Sequence, residues 1–417
     1  MLIATVGGSP EPIIISCKHW NPARVIFLAS QQTSSDIKET IIPAAQRAGL
    51  SITAGNVDII TIYDAQDLSA CVERMRALDA IVAAWLRNGP GHMVVVDITG
   101  GTKCMTAALA LIAQKWDCTF SYIGGAERSK DGKGTVISGH ERILSKANPW
   151  DMLGYNAINE CILLFDRYQF AAARLKVEDA RQRAERPDVK SQLSAFACLA
   201  TAYQEWDRFK HREALNALKD VLKNASVLRD VLGRDRGDLL RQELECAREF
   251  LKRLVAPERS QEKELLLDLI ANAIRRGEEE RYDDAVARLY RVVEAAAQYA
   301  LRKHQINDTG AVELQSLPAE LKEIWQARAV DGDVMLGLQD DYRVLQLLGD
   351  NLGGRFIDLG LGNRDTSPLS GRNRSILAHG FESLSKSSYE RMLNCALALT
   401  GFDLNVLPRF PKIMGAG

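Results

Sequence analysis

Two short stretches of this chain concentrate side chains suited to chemistry on phosphates. Toward the C-terminus, RNRSILAHG (372–380) sets Arg372, Asn373, Arg374 and Ser375 just upstream of His379. A guanidinium holds a phosphate through paired hydrogen bonds and stabilises charge that develops on it, while an imidazole moves a proton or orients the attacking or leaving oxygen. Arg374 and His379 are separated by about 500° on a regular helix, which leaves them about 140° apart unless Arg374 lies at the helix start or a second copy supplies the other partner. Arg372 returns to within about 20° of His379 if both are helical. Both spacings stay open. A lone histidine on a helix is more often a packing residue, but here two arginines and an asparagine crowd it and a glycine-rich stretch leads in, and packing explains none of these polar groups.

The second stretch, VVVDITGGTKCMTAALALIA (94–113), reads as strand, tight turn and helix. Gly100 and Gly101 let the backbone turn and leave amides uncovered, Thr102 stands where an N-cap would, and Lys103 adds a full charge. At the carboxyl ends of a doubly wound sheet such a turn meets its neighbours, here Gly7-Gly8-Ser9 and Ser30-Gln31. The ligand-binding candidates are Gly7, Gly8, Ser9, Ser30, Gln31, Asp97, Thr99, Gly100, Gly101, Thr102 and Lys103, with Asp97 holding either a ribose hydroxyl or the turn itself. There is no GxxxxGK[ST], and Gly7-Gly8 lacks the third glycine of a dinucleotide fingerprint, so neither nucleotide hydrolysis nor NAD binding is supported.

These residues need elements to position them. Residues 2–6, 24–30, 57–63, 92–98 and 118–123 are short apolar runs rich in β-branched types, and 36–48, 66–87 and 102–115 carry apolar positions at helical spacing. Alternation of the two implies a parallel sheet covered by helices, a Rossmann-like α/β domain over 1–147. Gly124–Val136 reads as a hairpin-like projection. After Asn148-Pro149 the character changes to long Ala, Leu, Arg and Glu segments, an all-α connector over 148–257, and Pro257 to Ser260 mark a second boundary. The stretch 258–417 is again all-α, broken by a glycine-rich loop at 349–373, with helix resuming from Arg374 to His379 and from Tyr389 to Leu399.

The composition excludes several function classes. Of 417 residues, 46% are hydrophobic and 26% charged, a globular profile, and 53 Lys plus Arg against 54 Asp plus Glu create no global positive field for duplex DNA or an anionic membrane. Eight cysteines without a CxxC pair or a histidine at zinc spacing argue for reduced thiols in the cytoplasm and against a structural metal. The start MLIATVGGSPEP has no basic region and no run approaches a membrane span, so neither secretion nor membrane insertion is expected.

Taken in order, GGSPEP (7–12), DITGGTK (97–103), AYQEWDRFKHREAL (202–215), YDDAVARLYRVVEAAAQYAL (282–301) and RNRSILAHG (372–380) resemble the CRISPR-associated accessory ribonucleases of type III systems, the Cas02710-like family. That family joins a CARF domain, a Rossmann-like sensor of cyclic oligoadenylate, to a C-terminal HEPN ribonuclease. The resemblance implies catalytic positions at Arg374 and His379, with Arg372, Asn373 and Ser375 in support. It implies metal-independent endonucleolytic cleavage of single-stranded RNA through the substrate 2'-OH and a homodimer that forms a composite site. It further implies no cofactor beyond an allosteric activator, cyclic tetra-adenylate favoured over the hexa-adenylate, and no stable duplex DNA binding. Two other readings remain: a ligand-sensing regulator without catalysis, and a CARF domain that itself degrades cyclic oligoadenylate.

Overall fold

A computed structural model of the chain describes residues 1–89, 91–125, 141–184, 186–257, 261–363, 367–375 and 380–414, with the backbone alone at Asn373 and Arg374. The chain divides into two compact units, Met1–Asn159 with Asp179–Leu193, and Glu160–Glu178 with Ser194–Gly417.

The first unit is built on a six-stranded sheet. Its elements run β1 (Leu2–Thr5), α1 (Glu11–Trp20), β2 (Val25–Ser30), α2 (Gln31–Asp36), α3 (Ile42–Arg47), β3 (Val57–Ile62), α4 (Leu68–Met75), α5 (Leu78–Leu86), β4 (Val95–Asp97), α6 (Lys103–Ala113), β5 (Thr119–Gly125), β6 (Glu141–Ala147) and the single turn α7 (Pro149–Met152). The strand order is β3-β2-β1-β4-β5-β6, parallel throughout except for the last pair. Leu2 of β1 pairs with Val25 of β2 on one side and with Val95 of β4 on the other.

Both faces of the sheet are apolar because successive side chains point to opposite sides and helices cover each. Ile3, Ile26, Leu28 and Val96 pack with Cys71, Met75, Leu78, Val82, Met105 and Leu109 from α4, α5 and α6. On the other face Leu2, Ala4, Phe27 and Val95 pack with Ile13 and Cys17 of α1 and with Ile37, Ile41 and Ala45. Burial pushes the Cys17 and Cys118 thiols of these two clusters up to about 12, so they pack as neutral thiols. The buried Asn148 amide donates to the carbonyls of Ala113, Gln114 and Trp116 at 3.1, 3.1 and 2.9 Å, tying the end of the sheet to the end of α6 where the sequence changes character.

Several details depart from the reading of the sequence. Glu11–Trp20 is a helix that the strand-centred pattern passed over, with Asn21 in a left-handed conformation at its end. The 66–87 helix is two, breaking at Arg76-Ala77, and the 36–48 helix contains a π-helical turn at Ile37–Ile41. The sheet is mixed, because β6 returns antiparallel along β5 with Gly125 opposite Glu141. The hairpin-like projection expected at Gly124–Val136 lies, beyond Gly125, outside the described residues.

The next helices are α8 (Tyr155–Asp166), α9 (Phe170–Arg183) and α10 (Pro187–Asp207), each shared between the units, followed by α11 (His211–Lys223), α12 (Ala225–Leu232) and α13 (Arg234–Leu254). Then come α14 (Glu262–Glu278), α15 (Tyr282–Lys303), a two-residue pair β7 (Val312–Glu313) and β8 (Asp333–Val334) around α16 (Ala319–Trp325), α17 (Leu338–Leu347), α18 (Asn351–Asp358), α19 (Pro368–Arg374) and α20 (Lys386–Thr400).

In the second unit the core is aromatic and charged together. Phe410 sits 4.7 Å from the Tyr203 ring and 4.9 Å from Trp206, centroid to centroid, with the Arg275 guanidinium 3.7 Å above it. The Asp207 carboxylate, at the end of α10, accepts from Arg275 Nε at 3.1 Å, Arg276 at 2.6 Å and the Asn272 amide at 3.0 Å. Asp268 accepts from Trp206 Nε1 at 2.8 Å and lies 2.9 Å from His211 Nε2. Such charges stay buried because each finds a partner.

Two expectations for the C-terminal stretch are corrected. The glycine-rich 349–373 stretch is mostly helix, α18 and α19. A Cβ on Gly353 would run into the Gln346 backbone, so this glycine lets α17 and α18 close on each other instead of loosening a loop. The stretch 307–337 is only partly helical: α16 and two short 3-10 turns lie between β7 and β8, with irregular chain around them.

Candidate functional site

The sheet order brings the three small-residue loops together. Strands β2, β1 and β4 are adjacent and parallel, so Ser30-Gln31, Gly7-Gly8-Ser9 and Thr99 to Lys103 leave the same edge side by side, at the point where the chain switches direction across the sheet. The loops after β1 and β4 touch. A Cβ on Gly100 would stand 2.6 Å from the Thr5 carbonyl oxygen and 2.8 Å from the Gly7 nitrogen, and Gly101 has φ +84°, so both positions require glycine. The Gly100 carbonyl is turned inward, accepting from the Thr5 hydroxyl at 2.6 Å and the Thr106 hydroxyl at 3.1 Å. Among the described residues the N–H groups of Gly100, Gly101, Thr102 and Lys103 have no acceptor, so open donors gather at the start of α6, the kind of helix start at which anions are bound. Lys103 is exposed and without an ion-pair partner among the described residues; Gly8, Ser9 and Gln31 are exposed as well.

Other candidates hold the scaffold. Asp97 is 3% exposed, and its two oxygens accept from the Ser16 hydroxyl at 2.6 Å and the Thr99 N–H at 2.9 Å. Of the two roles open to it, these bonds correspond to holding the turn. Thr99 turns its hydroxyl to the Ile123 N–H at 2.8 Å. The Thr102 hydroxyl caps α6, accepting from Met105 N–H at 3.2 Å and donating to the Ala65 carbonyl. Ser30 forms a capping box with Thr33 at the start of α2. The contributions of Thr5 and Thr106 were not anticipated, since lone threonines at a strand end and inside a helix carry no pattern of their own.

In the second unit α19 ends at Arg374, whereas the sequence suggested helix from Arg374 to His379. Ser375 is the extended C-cap, 1% exposed, bridged to Glu382 and accepting from the Gly380 N–H at 3.2 Å. It does not face solvent. The helical angles calculated from Arg372 or Arg374 to His379 therefore do not apply, because the helix stops between them. Asn373 and Arg374 share the last turn of α19, and His379 lies outside the described residues. The Arg372 guanidinium lies 4.7 Å over the ring of Tyr290 on α15. The Leu384 N–H is 3.3 Å from both oxygens of Asp283, on the same helix. Tyr290 and Asp283 sit inside YDDAVARLYRVVEAAAQYAL, where the helical period marks them as one face but nothing in their types singles them out.

Among the described residues no helix is long and apolar enough to cross a membrane. The family model of the Csm6 HEPN domain matches residues 257–403 and that of the Csm6 6H domain matches residues 153–243, together more than half of the chain. No curated protein matches. Among solved structures, the chain resembles Enterococcus italicus Csm6 bound to cyclic hexa-2'-fluoro-hexa-dAMP, at 14% identity and a TM-score of 0.49, over 97% of this chain and 95% of that one. Arg372 through His379 fall inside the HEPN match, on a helical unit that follows a mixed α/β sheet, and the chain belongs to the Csm6 accessory ribonucleases of type III CRISPR systems, whose HEPN domain it carries.

Proposed function

We propose that this chain cuts single-stranded RNA without a metal ion when a cyclic oligoadenylate occupies the loops at the carboxyl edge of its sheet. In this reading residues 1–147 are the sensor, 148–257 the helical connector and 258–417 the ribonuclease domain, and the protein works as a cytoplasmic homodimer. The observation that carries it is the HEPN match over 257–403, which contains the Arg372 to His379 stretch.

The chemistry follows from residue types. The 2'-oxygen of the substrate attacks the adjacent phosphorus as its proton leaves, the bond from phosphorus to the 5'-oxygen breaks, and that oxygen takes up a proton. The products are a 2',3'-cyclic phosphate and a 5'-hydroxyl, and no water is consumed. His379 moves or orients the proton, and Arg372 or Arg374 stabilises the extra negative charge on the phosphoryl oxygens. In the sensor, the free N–H groups of Gly100 to Lys103 and the Lys103 ammonium suit a ring of phosphates better than a neutral metabolite.

The test is cleavage of a labelled single-stranded RNA in EDTA, with and without synthetic cyclic tetra-adenylate or hexa-adenylate. Cleavage that needs a ring and leaves cyclic phosphate ends is expected, with the tetra-adenylate the stronger activator. A ring that binds without any RNA cleavage would replace this reading by a regulator without catalysis. Loss of the ring over time would add degradation by the sensor itself.

A further inference from the structure

We propose that the cleft between α14 and the segment 404–412 is a binding site for a small organic carboxylate, with the Arg275 guanidinium as its buried anchor. The cleft encloses about 380 Å³ and lies within the second compact unit. Small-molecule sites run from about 300 to 1,000 Å³, so it suits a compact ligand. Arg275 borders it from α14 and is 3% exposed. Among the described residues its side chain donates one hydrogen bond, from Nε to Asp207 at 3.1 Å, and Nη2 is buried without an acceptor. Asp207 is itself shared, because it also accepts from Arg276 and from the Asn272 amide. The Phe410 ring covers one face of the Arg275 guanidinium at 3.7 Å, which leaves the edge of the group for a further partner. A buried donor without an acceptor costs stability, and a charged one costs more, so a partner on that edge is favoured.

The rest of the lining fixes the class of ligand. Two more cations border the cleft, Arg409 and Lys412. Arg409 is exposed and has neither an ion pair nor a hydrogen bond from its side chain among the described residues. The Lys412 ammonium lies 3.6 Å over the Tyr168 ring and donates to the Asp166 carbonyl. Against these stands one lining carboxylate, Glu278, which accepts from the Tyr168 hydroxyl and lies 3.9 Å from Lys412. The balance favours an anion. Ala271, Ile274, Leu404, Leu407 and Pro408 supply the remaining wall, so the anion carries an apolar body. A carboxylate matches the flat edge of a guanidinium with its two oxygens. Inorganic phosphate would surrender more hydration on entry and leave the apolar wall uncovered.

The experiment is calorimetry of the full-length chain with benzoate as the probe, beside benzamide, its neutral counterpart of the same shape, and inorganic phosphate. Wild type is compared with Arg409→Ala, at an exposed position that the fold does not need, and with Arg275→Lys, which keeps a charge beside Asp207 but loses the flat pair of donors. Benzoate should bind wild type at concentrations up to about 10 mM, with benzamide and phosphate each at least about 10-fold weaker. Arg409→Ala should weaken benzoate about 5-fold and Arg275→Lys about 10-fold or more, each in a chain that melts near the wild-type temperature. If Arg275→Lys does not fold, Arg409→Ala alone decides the location. Absence of benzoate binding overturns the proposal. Benzamide binding as tightly as benzoate removes the anion, and phosphate binding as tightly removes the apolar body. Benzoate affinity unchanged in the folded variants places the ligand elsewhere and overturns the cleft.

Discussion

Lys103 is the first residue of α6, exposed and without an ion-pair partner among the described residues, so its charge is available to a bound anion. Lys103→Ala should raise the activator concentration for half-maximal RNA cleavage about 10-fold, with the maximal rate at saturation nearly unchanged. A ligand acts through its difference in affinity between inactive and active states, so damage at its site moves the dose and not the chemistry; a dose curve with calorimetry checks both halves. His379→Ala is the converse: RNA cleavage in EDTA should fall at least about 100-fold while calorimetry finds activator affinity within a few-fold. A third residue bears on stability. Asp341 on α17 is 2% exposed with Oδ1 unpartnered, and burial, Glu294 and Asp340 push its carboxyl up to about 7. An acid whose folded pKa lies above its unfolded value near 4 leaves stability intact below that value and removes it as pH rises toward 7. Asp341→Asn should therefore gain little relative to wild type at pH 4 and most above pH 7, read as the pH dependence of the difference in Tm. A flat difference across that range would mean the carboxyl is not held protonated by the fold.

At the scale of elements, the segment after α20 is a strap. Phe410 enters the aromatic cluster of Tyr203 and Trp206, Arg236 donates to the carbonyls of Lys412 and Ile413 at 2.7 and 2.9 Å, and Asp166 accepts from the N–H groups of Ile413 and Met414 at 2.6 and 2.9 Å. It thereby joins helices of the 6H match to α14 of the HEPN match within one compact unit. Phe410→Ala should cost about 3–5 kcal/mol, from the lost ring and from the Arg275 charge left without its aromatic cover, while Phe410→Leu should cost less. Urea denaturation followed by tryptophan fluorescence measures it. The same scale explains why 349–373 misled: glycines at Gly353 and Gly354 read as loop, yet Gly353 is where two helices touch.

At the scale of the molecule, near-zero net charge leaves local sites to select ligands. One chain supplies one Arg372 to His379 stretch and one set of sensor loops, and the proposed composite site needs a second copy related by a two-fold axis. Light scattering is expected to give twice the chain mass at micromolar concentration. A stable monomer with undiminished ribonuclease activity would remove the composite site.

The sequence by itself determined the alternation of strand and helix before Asn148, the helical character after it, and the turn chemistry of Gly100, Gly101 and Thr102, because hydrophobic period and φ preference are local properties of the chain. It carried the family resemblance through short motifs in a set order. Strand order was not local. Only the tertiary structure decided that β1 lies between β2 and β4, which sets the three loops side by side, and that β6 returns antiparallel. It also decided which polar residues serve the scaffold. Asp97 looked available until Ser16, 81 residues earlier, was seen to hold its carboxylate. The Arg372 to His379 geometry was out of reach for the same reason: a periodicity argument assumes that the helix continues, and α19 stops at Arg374, where Ser375 turns inward to meet Glu382.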